Sequence, residues 1–206
     1  MEEKPVIKSP WRTIWTNPRL TINTLIENFP SKGMWWMALI AGFQHCIVLI
    51  AIWPITITKH LLILVIALVV SPVIGMIWFY YFGGILYIVG KWLGGVSNYR
   101  DLKIAYAWSR LPIGIYLIVT AILLFIIPDL QIHKYFIFSS SIVVAIIGFV
   151  MGLWALLVLF QNVLELQKFT PVKALLNIIF SYVINFIIAG ILLYSIMLML
   201  VRMSPK

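Results

Sequence analysis

Gln161 and Glu165, the amides Asn177 and Asn185, and His45 are the polar side chains that stand out in an otherwise apolar sequence. A polar or ionisable group inside lipid is costly, so each is a candidate for function. His45, beside Gln44, could relay a proton or ligate a metal, but no His, Cys or carboxylate cluster at usable spacing accompanies it. Its plainer reading is a hydrogen-bonded packing histidine. Gln161 and Glu165 lie four residues apart on one helix face, where they could bind a polar partner or pair with Lys168 or Arg110. Asn177, Ser181 and Asn185 recur every four residues and form a stripe that must face protein or water. Interhelical hydrogen bonding, worth about 0.6 kcal/mol per contact, accounts for such a stripe, and a polar groove for a substrate is the alternative. The sequence holds no nucleophile with a base, no paired intramembrane carboxylates, no phosphate loop and no HExxH pair. It therefore implies no enzyme, no cofactor and no metal site.

These residues must be positioned by membrane helices. The chain is 63% hydrophobic and only 10% charged, with a mean hydropathy of +1.07, whereas soluble domains are roughly 45–50% apolar and about 25% charged. Its apolar runs reach the roughly 18 residues that a bilayer demands. The net charge of +9 comes from basic residues lying between those runs. That placement fits anionic lipid headgroups and argues against nucleic acid. Cys46 is the single cysteine and reads as a small hydrophobe. Residues 1–33 stay polar for too long to form a cleavable signal peptide.

The fold class is an all-α, polytopic membrane bundle of about five transmembrane helices. Residues 1–33 form an N-terminal segment, 34–201 the membrane domain and 202–206 a short tail. Spans are expected at about 34–56, 61–90, 111–127, 135–160 and 174–201. Trp35, Trp36 and Trp53 mark the interfaces of the first. The second is too long for one straight crossing. It either kinks at Pro72 or ends at the cluster Trp78 to Phe82, and a tilted helix with a cytoplasmic extension is the preferred reading. Short outer loops fall near Ile57 to His60 and Asp129 to Lys134. Gly148 with Gly152, and Ser71 with Gly75, are small-residue steps that suit either internal packing or a homo-oligomer.

Eleven of the 15 lysines and arginines fall in the N-terminal segment, the second loop and the fourth loop. The positive-inside rule makes that face cytoplasmic, together with the N-terminus. On it, Trp11 to Phe29 reads as an amphipathic helix on the inner leaflet, started by Asn17 and Pro18, with Ile22, Leu25, Ile26 and Phe29 on one face. A second short helix is expected from Tyr99 to Trp108, introduced by Ser97 or Asn98. Trp11, Arg12, Trp15, Arg19, Arg100, Lys103 and Arg110 are the candidate contacts for a protein partner or lipid headgroups.

The segments NPRLTINTLIENFP, YYFGGILYIVGKWLGG, SNYRDLKIAYAWSRLP and LELQKFTPVKALLNI together resemble the Yip domain family of membrane proteins, the Ypt/Rab-interacting group and its bacterial relatives, from about Pro10 to Val201. The resemblance implies a five-span bundle with a cytoplasmic N-terminus and no catalytic signature. Eukaryotic members are associated with Rab GTPases and vesicle traffic. The short N-terminal segment departs from that type, which puts GTPase binding in doubt and points to a bacterial relative in the cytoplasmic membrane. The expected function is a non-catalytic scaffold or partner-binding protein, with a transporter or lipid-handling protein using the stripe of span five as the alternative.

Overall fold

The computed structural model describes residues 9–52, 57–126 and 134–203. Among the described residues eight helices follow in order: α1 Pro10–Thr13, α2 Pro18–Asn28, α3 Met34–Ile52, α4 Ile57–Trp92, α5 Tyr99–Ser109, α6 Leu111–Ile126, α7 Lys134–Gln167 and α8 Pro171–Met203. The described residues include no strand. Four of their stretches are long and apolar enough to cross a membrane: Val65–Trp92, Tyr99–Thr120, Ile142–Gln167 and Pro171–Met199. The chain is an integral, multi-pass membrane protein.

Local chemistry sets the helix ends. Proline occupies the first position of α1, α2 and α8, where its missing N–H costs nothing. Asn98 caps α5 by accepting from the Asp101 backbone N–H at 2.9 Å. The Gly94–Gly95 pair closes α4. Gly94 takes φ +83, and the Gly95 N–H reaches back to the Gly90 carbonyl at 2.8 Å, the double turn that glycine makes cheaply. α7 ends the same way, with Phe169 N–H on the Leu164 carbonyl at 3.2 Å, but the left-handed residue is Lys168 at φ 54.

The long second span is one unbroken helix that carries Pro72 within it and begins at Ile57, so the outer loop expected at Ile57 to His60 is the first turn of α4. At about 1.5 Å per residue its 36 residues span about 54 Å. Residues 53–56 and 127–133, with Trp53, Pro54, Pro128 and most of the second outer loop, lie outside the described residues. α3 packs tightly on α4 through small residues. A Cβ on Gly42 would strike the Ser71 carbonyl, and one on Gly75 the Ala38 carbonyl. Gly148 sits against the Tyr116 hydroxyl, which donates to the Val144 carbonyl at 2.7 Å and ties α6 to α7. Both small-residue steps are therefore used inside the bundle.

Candidate functional site

The polar and aromatic side chains converge where α5 packs on α4 and α7, α2 packs on α7, and α8 packs on α4 and α7. α5 is the centre of this platform. Leu102 and every residue from Ile104 to Ser109 are buried, including Tyr106 and Trp108. Sequence reasoning offers this stretch either as a partner or headgroup contact through Arg100, Lys103 and Arg110 or as a connector snorkelling into the interface, but its aromatics Tyr106 and Trp108 pack inward. Trp108 meets Trp11 at 5.1 Å between ring centroids. It also lies against Gly33, whose φ of +76 turns the chain from α2 into α3. Tyr106 stacks on Phe82 at 4.4 Å and accepts a 2.8 Å hydrogen bond from the Trp78 indole.

α2 is likewise docked on protein. Thr21, Ile22 and Leu25 are buried against the bundle and Ile26 is half-buried, while Phe29 is exposed. The apolar face expected to lie in lipid thus faces α5 and α7 over most of its length. A polar ladder holds it there. Arg19 Nε donates to Gln161 Oε1 at 2.5 Å, and one turn on Asn23 Nδ2 donates to Glu165 Oε1 at 3.1 Å. The four-residue step is the same on both helices, so α2 and α7 run parallel along this contact. Lys168 closes the ladder by donating to Glu165 Oε1 at 2.7 Å. Gln161 and Glu165 are therefore brought together with Arg19, whereas Arg110 lies elsewhere.

A second polar cluster pins α4, α7 and α8. Asn177 and Ser181 are fully buried. Asn177 Nδ2 donates to the Leu86 carbonyl and Ser181 Oγ to Asn177 Oδ1, each at 3.4 Å. Asn185 lies half-buried further along the stripe. Gln167, which the sequence reading did not single out, is buried and accepts from the Ser97 N–H at 3.1 Å. A Cβ at Gly90 or Gly95 would collide with its amide, so these two glycines make the space for Gln167. Asn162, a polar neighbour of Gln161 to which the sequence reading gave no role, is buried and donates to the Ala105 carbonyl at 3.4 Å.

His45 Nδ1 lies 2.6 Å from the Ala41 carbonyl of its own helix, and its ring packs on Trp78 at 4.7 Å. Gln44 beside it is half-buried, with Oε1 enclosed and without a partner among the described residues. The Arg110 guanidinium sits 5.9 Å above the Tyr106 ring and beside Tyr182. Lys103 Nζ lies over Tyr80 at 3.9 Å, a cation–π contact. Trp11 and Trp15 are half-buried, and Arg12 and Arg100 are exposed. No group of three or more His, Cys, Asp or Glu residues able to hold a metal ion occurs among the described residues. The arrangement cross-links helices through hydrogen bonds and presents cations around a packed aromatic centre.

No curated protein and no solved structure matches the chain. The family model described as the Yip1 domain matches residues 11–200, a span that reaches from α1 to within three residues of the end of α8, and the chain belongs to that family.

Proposed function

We propose that the protein is a non-catalytic, five-span scaffold that binds a partner at its cytoplasmic end. The spans are α3, α4, α6, α7 and α8, with α5 folded against α4 on the way to α6. The reading rests chiefly on the platform. A buried α5 and a ladder-bound α2 hold the loops around them in one arrangement, and a partner that meets a preorganised surface loses less entropy on binding. Trp92, Val96 and Val172 are exposed there, near Lys91, Arg100 and Lys173 in the chain, which is the mixture of large apolar and basic side chains expected of an interaction surface. Asn177 and Ser181 support packing over a substrate groove, because both are closed against neighbouring groups.

The test is photo-crosslinking from position 96 of the full-length protein in its native membrane. It compares wild type with a Trp92→Ala, Arg100→Glu variant of equal helicity. A discrete crosslinked partner that the variant loses supports the scaffold. A wild type that crosslinks only lipid, or a variant that keeps the partner, removes it.

A further inference from the structure

A groove of about 650 Å³ lies between the α1–α2 segment and α7, lined by Trp15, Pro18, Arg19, Trp154, Leu157 and Gln161. Its two ends differ in chemistry. At the polar end, Arg19 is exposed, spends its Nε–H on Gln161 and lies within electrostatic reach of Glu165; among the described residues no hydrogen bond takes its other four guanidinium donors. Glu165, one turn further along α7, is already bonded to Asn23 and Lys168. At the apolar end, Trp154 and Leu157 are exposed and continue into Phe149, Val150 and Leu153, also exposed, on a stretch able to cross the membrane. The groove therefore opens onto the face of α7 that meets lipid.

We propose that this groove binds one anionic glycerophospholipid, with its phosphate on Arg19 and an acyl chain along Trp154 and Leu157. A guanidinium offers phosphate a planar fork of donors. The indoles of Trp15 and Trp154 suit the boundary between headgroup and chain. The apolar wall takes methylene groups out of contact with water. A free phosphate would use Arg19 and have no use for that wall. The site involves neither Trp92 nor Arg100, so it stands or falls separately from the partner surface.

Native mass spectrometry of the full-length protein, titrated with phosphatidylglycerol or phosphatidylcholine of matched chains, tests the proposal. The expected result is one tightly held lipid with a roughly five- to tenfold preference for phosphatidylglycerol. Arg19→Gln removes the preference, and Trp154→Ala weakens binding of both lipids while leaving the Arg19–Gln161 bond in place. Lys32→Gln carries the same charge change at an exposed position outside the groove and keeps the preference. Equal binding of the two lipids by wild type overturns the proposal. So does wild-type binding by both groove variants, displacement of phosphatidylglycerol by millimolar inorganic phosphate, or a dimer that Trp154→Ala abolishes, which would seat a second copy there. If Arg19→Gln loses its helicity, Trp154→Ala alone decides, and unchanged binding in it overturns the site.

Discussion

Lys168 ends α7 with φ 54, a region where a side chain costs roughly 1–2 kcal/mol and glycine nothing. Its ammonium offsets part of that cost through Glu165 at 2.7 Å, although the lysine is well exposed and such pairs are worth at most about 1 kcal/mol. Comparing Lys168→Gly with Lys168→Ala cancels the ion pair, because both variants lack it. Glycine should be the more stable by about 0.5–1 kcal/mol after its extra unfolded-state entropy is counted, read from unfolding midpoints in mixed detergent. A glycine variant no more stable than alanine would mean that the φ of residue 168 relaxes. Nothing in the segment LELQK marks Lys168 as the turning residue or Gln167 as buried, since both look like the polar end of an apolar helix. Their roles come from the close approach of Gly90 and Gly95 to the Gln167 amide, a tertiary fact.

α2 shows what periodicity can and cannot establish. Ile22, Leu25 and Ile26 share a face, and Asn17–Pro18 starts the helix where the sequence says. An apolar stripe, however, is equally content against lipid or protein. What decides is the polar flank: Arg19 and Asn23 match Gln161 and Glu165 rung for rung across 142 residues of sequence, a pairing invisible without the fold. Leu25→Ala should therefore cost about 2–4 kcal/mol, as for a buried core leucine, and should raise amide exchange from Thr21 to Asn28 before the rest of the chain. Phe29→Ala, at the exposed residue that caps the end of the same helix, should stay within about 0.5 kcal/mol. Equal, small effects of the two would return α2 to the lipid surface. α5 was legible in its start, through Asn98 and Asp101. Its burial was not, because Lys103 and Arg110 among the aromatics read as a wet surface, whereas both cations lie over tyrosine rings.

Across the whole molecule, α4, α7 and α8 have 36, 34 and 33 residues, or about 54, 51 and 50 Å, against a hydrocarbon core of about 30 Å. Roughly 20 Å of each must lie beyond the core or be taken up by tilt. Burial divides each helix accordingly. Exposed apolar side chains predominate along Leu62 to Ile77, Ile142 to Leu157 and Val183 to Met199, whereas buried ones concentrate on the inward faces of Phe79 to Val89, Val158 to Val163 and Ala174 to Ser181, whose outward faces keep Tyr80, Ile88, Leu175, Ile179 and Phe180 exposed. The buried stretches of α4 and α7 are where α5 and α2 pack on them, and that of α8 is where it meets α4 and α7, so the excess length and the platform have one explanation: the helices outrun the lipid at one end, where the short helices cover α4 and α7. On the proposed five-span reading α3 and α6 also cross, the number of spans is odd and the termini face opposite sides. In a Cys46→Ser background, cysteines at Ser31 and Val96 should both resist an impermeant maleimide in intact cells and label after permeabilisation, while one at Ser204 should label at once. Ser204 protected together with Ser31 would make the number of crossings even. The positive-inside bias would then still set the side of the N-terminus, but α3 or α6 would have to lie within the platform and not through the membrane.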